Sequence, residues 1–74
     1  MKVIFELIFK DSVHITYAVK STKEEDLILM KNLIIFHEDF EDLHLAHLLK
    51  EKFPSFVSMQ VFFGNATTTY TRDE

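Results

Sequence analysis

Histidine is the residue type of this chain that is best suited to bind a metal ion. His44 and His47 stand three residues apart in a predicted helix, and Glu51 follows four residues later. At ~100° per residue these side chains fall in one narrow stripe together with His37 and Phe40. The spacing can bring three ligands to one divalent cation, so His44, His47 and Glu51 are candidate metal ligands.

The same stripe has a simpler interpretation, which we favour. Histidine and glutamate can form the solvent-facing side of an amphipathic helix. The core side of that helix then carries Leu45, Leu48, Leu49 and Phe53. Residues 37–41 lack the second histidine of the zincin motif, so no hydrolytic site is indicated. A third option is that protonation of the two helix histidines at about pH 6 tunes an interface.

Other catalytic arrangements are disfavoured by the composition. The single glycine is too little for a glycine-rich phosphate-binding loop, and no cysteine is present to act as a nucleophile. Four serines lie at predicted turns, caps or strands with no nucleophile-elbow motif around them: Ser12, Ser21, Ser55 and Ser58. We therefore predict a protein that is not an enzyme and that needs no cofactor.

Negative charge is the second feature that could carry function. Twelve acidic residues outnumber eight basic ones, and the formal net charge is −4. The acids cluster at 24–26 and 38–42; this suits a basic protein partner and disfavours direct binding to nucleic acid. Because an aromatic ring surrounded by charge is a common recognition surface, the predicted partner-binding residues are Glu38, Asp39, Phe40, Glu41, Asp42 and Phe62. The alternative is that acids at helix starts serve only as caps and aid solubility.

The composition also gives a general indication of function. The chain is small, acidic, rich in phenylalanine and free of cysteine and tryptophan. In this it resembles many small proteins of bacteriophages and mobile elements that bind and block one host enzyme, including anti-CRISPR proteins, although the likeness covers no motif. It implies a non-enzymatic inhibitor or adaptor of a basic, nucleic-acid-handling host protein. Two alternatives are a homodimeric structural or regulatory subunit and a small metal-binding protein that uses the helix histidines.

Length and hydropathy place all of these residues in one small domain. Seventy-four residues leave room for one core, and 47% of them are apolar. The first residues carry an acid in their middle, unlike a signal peptide, and no apolar run is long enough to span a membrane. Together with the lack of cysteine, this predicts one cytoplasmic domain over residues 1–74.

Two stretches alternate in polarity and predict β-hairpins. In the first, a three-residue loop over 10–12 pairs Phe9 with Val13 and Leu7 with Ile15, which keeps one apolar face. In the second, Gly64-Asn65 suits a type II′ turn. Its register pairs Phe63 with Ala66, Val61 with Thr68, and Met59 with Tyr70.

The middle of the chain predicts helices. Two overlapping capping boxes, Ser21 with Glu24 and Thr22 with Glu25, indicate a helix start. Its end is open, because Asn32 is a candidate terminus that would leave 33–36 as a strand or linker. A second helix is predicted to run from an Asp39 cap towards Lys52, with Pro54 ending it at about Phe53.

The expected fold is therefore α+β, with two antiparallel hairpins flanking a helical middle in the order ββααββ or ββαββ. Two short helices cannot cover both faces of the sheet. Ile4, Ile8 and Phe62 should then stay uncovered, and we predict self-association through a sheet face or edge.

Overall fold

The computed structural model describes residues 2–72 and contains four strands and two helices in the order ββααββ. The elements are β1 (Phe5–Lys10), β2 (Ile15–Ser21), α1 (Glu24–Phe36), α2 (Asp42–Lys52), β3 (Phe56–Phe63) and β4 (Ala66–Thr71). The strands form one antiparallel sheet in the order β1-β2-β3-β4. The predicted α+β fold is confirmed.

The two helices pack on one face of this sheet. Helix α1 lies on β1 and β2, and α2 lies on β3 and β4. The buried side chains between the layers form one cluster: Phe9, Tyr17, Val19, Leu27, Met30, Ile34, Leu45, Ala46, Leu49, Phe56, Met59 and Val61. The other face of the sheet stays open, with Ile4 and Ile8 more than half exposed. No helix within residues 2–72 is long and apolar enough to cross a membrane.

The N-terminal hairpin has a different register from the predicted one. Phe9 pairs with Tyr17 and Leu7 with Val19, so the predicted three-residue loop is wrong. The turn is longer because the backbone N–H groups of Asp11 and Ser12 both donate to the carbonyl of Ile15. The partner of each β1 residue moves by an even number of positions. Since side chains alternate with period two, the predicted apolar face is retained.

The C-terminal hairpin has the predicted register, with Phe63 opposite Ala66, Val61 opposite Thr68 and Met59 opposite Tyr70. Gly64 has a φ of 59°, and no non-glycine residue among 2–72 has a positive φ. A positive φ at the first loop position alone is the pattern of a type II′ turn.

Substitution of Gly64 by valine should lower the free energy of unfolding by roughly 1–3 kcal/mol, because a β-branched residue is strained at positive φ. A Cβ at this position meets no atom within 4 Å, so the cost is backbone strain rather than a clash. Thermal and urea unfolding would measure it, with Asn65→Val as the matched control at the adjacent turn position. Equal stabilities of the two variants would contradict the positive φ.

Helix α1 begins without the predicted capping boxes. Its N-cap is Lys23, which makes no side-chain cap hydrogen bond. Ser21 is instead the last residue of β2, where it is fully buried. Its Oγ lies 2.9 Å from Ser55 Oγ, which donates to Asp26 Oδ2 at 2.5 Å. This hydroxyl–carboxylate chain joins the end of β2, the first turn of α1 and the segment before β3.

The helix boundaries settle the open question about residues 33–36. Helix α1 continues through Asn32 to Phe36, so this segment is helical. Helix α2 begins at Asp42 after the N-cap Glu41, so its cap lies two residues later than the predicted Asp39. It ends at Lys52, two residues before Pro54, as the proline predicts.

Candidate functional site

The predicted acidic segment lies at the end of the sheet that holds the β1–β2 turn. Helix α1 is 13 residues long, about 20 Å at 1.5 Å per residue. This nearly equals the length of β2, about 23 Å for its 7 residues. A helix that starts at the end of β2 and runs back over the sheet therefore delivers the α1–α2 connection beside the β1–β2 turn.

A surface depression of about 450 Å³ lies where these segments meet. Four carboxylates line it: Asp11 from the β1–β2 turn, Glu38 and Glu41 from the α1–α2 connection, and Asp42 from the first turn of α2. The remaining lining residues are apolar or aromatic, namely Ile15, Tyr17, Phe40, Leu43 and Tyr70. We call this set the acidic depression. Its described lining contains no lysine or arginine.

The two tyrosines of the acidic depression report its negative potential. Tyr17 is 4% exposed, and its hydroxyl donates to Asp42 Oδ1 at 3.4 Å. Burial, together with the charges of Asp42 and Asp11, raises the pKa of Tyr17 to about 12. Burial and Asp42 also raise the pKa of Tyr70. Carboxylates from two separate segments therefore act on one point of the depression.

A stack of aromatic rings holds the α1–α2 connection in place. Phe40 lies between His37 and His44, with ring centroids 4.5 Å and 4.4 Å away and interplanar angles of 27° and 10°. Phe36 meets His37 edge-on at 5.0 Å. Phe40 is half-buried against the core, so it both lines the acidic depression and anchors the connection. The ring that projects into solvent is Phe36, which is 80% exposed.

The structure brings together four of the six residues predicted to bind a partner. Glu38, Phe40, Glu41 and Asp42 line the acidic depression. Asp39 is exposed in the same connection but does not line it. Phe62 is half-buried on the opposite face of the sheet, between Thr16 and Thr67, and belongs to a different surface.

Three important residues of the site were not identified from the sequence. In the sequence, Asp11 has the pattern of an ordinary turn residue, and Tyr17 and Tyr70 occupy positions in alternating strands. Each reaches the acidic depression through the order of the strands and the path of α1, so no local pattern marks it. The isolated acid in the β1–β2 turn is the one signal that a topological argument could have used.

The helix histidines are not gathered into a metal-binding group. His44, His47 and Glu51 are all exposed, and no cluster of three or more potential ligands exists among residues 2–72. The His44 ring stacks on Phe40 instead. The amphipathic interpretation of α2 fits these positions, since Leu45 and Leu49 are buried while Leu48 and Phe53 are half-buried.

A second depression, of about 530 Å³, lies against the open face of the sheet and includes Lys2, Lys20 and Arg72 in its lining. Its arginine serves the fold. The Arg72 guanidinium donates to the carbonyls of Lys50, Phe53 and Phe56 at 3.1, 2.5 and 2.7 Å, which fastens the end of α2 to β3.

The acidic depression can bind a cation or a cationic side chain, because four carboxylates line it. The hydroxyl–carboxylate chain of Ser21, Ser55 and Asp26 differs from a catalytic triad, because it contains no imidazole and is buried or half-buried in the fold.

Comparisons of the chain with models of known protein families, with curated proteins and with solved structures found no match.

Proposed function

We propose that this protein is a non-enzymatic protein-binding module that docks onto a basic partner through the acidic depression. The observation that carries the proposal is the convergence of Asp11, Glu38, Glu41 and Asp42 on one aromatic-lined concavity. Acids that served only as helix caps would not need Asp11, which lies in a strand turn. Convergence from three chain segments supports recognition by shape as well as by charge.

The chemistry of the depression suits a lysine or arginine side chain. Such a side chain buries its methylene stem against apolar surface while its charged end stays at the polar rim. Here the ring of Tyr70 and the edge of Phe40 provide the apolar surface, and the carboxylates of Glu38 and Glu41 provide the rim. Charge-assisted hydrogen bonds to carboxylates are about twice as strong as neutral ones.

The partner class that we propose is a nucleic-acid-handling enzyme, which this protein would inhibit. Enzymes that bind phosphate backbones carry grooves lined with lysine and arginine. A small protein of net charge −4 is attracted to such a groove, and long-range attraction raises the association rate. The compositional likeness to small phage inhibitors, anti-CRISPR proteins among them, supports the same proposal.

The test is reversal of two carboxylates in the depression, Glu38→Lys with Glu41→Lys. Both side chains are exposed, so the fold should persist. The association rate with basic nucleases and polymerases of the source organism, or with an arginine-rich peptide as a minimal probe, should fall by roughly tenfold or more. Surface plasmon resonance at low and physiological salt would measure it, and binding of the parent should weaken as salt rises.

The matched control is Glu6→Lys with Glu51→Lys, which makes the same change in net charge at two exposed positions outside the depression. It should lower the rate much less than the Glu38 and Glu41 pair does. Equal losses in both double variants would show that net charge alone acts, and an unchanged rate in the depression variant would refute the proposed binding surface.

A further inference from the structure

Helix α1 has an apolar outer face that no other element within residues 2–72 covers. Its inner side is buried against the sheet through Leu27, Met30 and Ile34. Its outer side exposes four large apolar residues: Ile28 at 55%, Leu29 at 53%, Ile35 at 40% and Phe36 at 80%. At 100° per residue these four side chains lie opposite the buried ones. We call them, together with Asn32 between them, the outer face of α1.

The outer face is symmetric about Asn32. Leu29 and Ile35 stand three residues before and after it, and Ile28 and Phe36 stand four residues before and after it. If a two-fold axis passes beside Asn32, each apolar position of the outer face lies opposite another apolar position in an antiparallel copy of the helix. Interfaces between identical chains need this self-complementarity, because residue i meets residue j and j meets i.

From this arrangement we propose that a second copy of the chain covers the outer face, with the two α1 helices antiparallel and Asn32 on the two-fold axis. Ile28 of one copy then packs against Phe36 of the other, and Leu29 against Ile35. At the axis each Asn32 amide meets its own counterpart. An amide carries donors and an acceptor, so two of them can exchange hydrogen bonds across the axis. A single asparagine in an apolar seam is a known device for setting helix register.

The area of the outer face is sufficient for a weak dimer. If a fully exposed side chain of this size offers about 200 Å², the four residues leave roughly 450 Å² of apolar surface on each copy. Two copies with their polar rims then bury about 1,000 Å², which is near the lower limit for a specific interface. We therefore expect dimers to dominate only at high micromolar concentration.

The lack of charge on the outer face of α1 favours a second copy of the chain, and not the basic partner, as the molecule that covers it. The five residues of the outer face carry no charge over two turns of helix, although 27% of the chain is charged. Lys31 does not enter the face, because its Nζ lies over the Phe9 ring at 5.7 Å. The open face of the sheet is less suited to self-pairing, since Glu6, Lys10 and Lys20 interrupt its apolar residues.

Salt should act on this dimer in the opposite direction from its action on partner binding. In the antiparallel arrangement Glu25 of one copy approaches the acidic connection at Asp39 of the other, and both copies carry a net charge of −4. Screening this repulsion should strengthen self-association. The two interactions are thus distinguishable, and failure of either leaves the other standing.

Single cysteines test the arrangement directly, because the chain has no cysteine of its own. A residue on the two-fold axis is the only one that meets its own counterpart. Asn32→Cys should therefore form a disulfide-linked dimer under mild oxidation at least tenfold faster than Leu29→Cys, whose counterpart lies opposite position 35. Thr69→Cys, exposed on the open face of the sheet, reports the competing dimer through that face.

Sedimentation of the unmodified chain supplies the second measurement. We expect monomer at low and dimer at high micromolar concentration, with more dimer at raised salt. Asn32→Asp, which places two carboxylates at the axis, should abolish the dimer at neutral pH. The fold should persist, because the side chain at position 32 is exposed. Fastest crosslinking by Thr69→Cys, equal rates for Asn32→Cys and Leu29→Cys, or only monomer at high micromolar concentration would each overturn the proposal.

Discussion

Replacing Phe56 by alanine should remove about 3–5 kcal/mol from the free energy of unfolding. Phe56 is 1% exposed and is the largest fully buried side chain among the described residues. Its backbone makes two hydrogen bonds as well: the N–H donates to the Phe53 carbonyl, and the carbonyl accepts from the Arg72 guanidinium. A domain of this size is expected to have roughly 4–11 kcal/mol in total. The substitution should therefore consume most of its stability.

Urea unfolding followed by circular dichroism would measure the change, and Phe63→Ala is the matched control. Phe63 lies in the same strand but is 57% exposed, so its truncation leaves no cavity and should cost under about 1 kcal/mol. Similar midpoints for the two variants would show that the core does not include Phe56. A difference of several kcal/mol would place Phe56 in the main apolar cluster.

The elements with strong local signals could be predicted from the sequence. The C-terminal hairpin follows from period-two alternation on both sides of Gly64-Asn65, and two-residue loops allow few registers. The buried side of α2 follows from the spacing of Leu45 and Leu49. The end of α2 follows from Pro54, which restricts the residue before it. In each case the physical cause lies within a few residues of its effect.

The features that could not be predicted depend on distant parts of the chain. The β1–β2 register was wrong because alternation constrains only the parity of pairing, and any even shift keeps the same face. The capping boxes are wrong because the N-cap of α1 is Lys23, whereas Ser21 is held at the end of β2 by a buried hydrogen bond with Ser55, a residue 34 positions away. The Ser21 hydroxyl also accepts from the Lys23 N–H at 3.0 Å, so its local bond lies before the helix and not inside its first turn.

The candidate site also contains residues that a local pattern predicts and residues that only contacts between distant parts of the chain bring in. The acidic connection and Phe40 are visible as a local cluster, whereas Asp11 joins them only because α1 nearly matches β2 in length. The exposure of Phe36 also follows from tertiary structure, since α1 is apolar on every side and only packing decides which side is covered. A pattern on its own identifies surplus apolar surface but does not locate it.

Stability should fall as pH rises from about 10 to about 12 because of Tyr17. The pKa of Tyr17 is about 12 in the folded protein, against an ordinary value of about 10 in the unfolded chain. Between these values the unfolded state has lost the proton and the folded state keeps it. The unfolded state then binds fewer protons, so the free energy of unfolding decreases with pH and levels off above about 12. Because Tyr17 lines the open acidic depression, solvent screens part of this effect, and the loss should be on the order of 1–2 kcal/mol.

Comparison with Tyr17→Phe isolates this effect from the titration of lysines and of Tyr70. The free energy of unfolding of the parent should fall more steeply with pH than that of the variant, and phenolate absorbance should show one tyrosine titrating near pH 12. Parallel pH profiles for the two proteins would exclude a raised pKa at Tyr17.

Asp42→Asn extends the test to the acidic depression itself. Burial is the largest cause of the raised pKa of Tyr17 and would remain, whereas the charge of Asp42 and its hydrogen bond would be lost or weakened. The pKa of Tyr17 should then fall towards its ordinary value without reaching it. The difference between parent and variant measures the negative potential that Asp42 imposes on the depression. If the variant titrates like the parent, Asp42 does not contribute to that pKa, and the potential that we assign to Asp42 is not present at Tyr17.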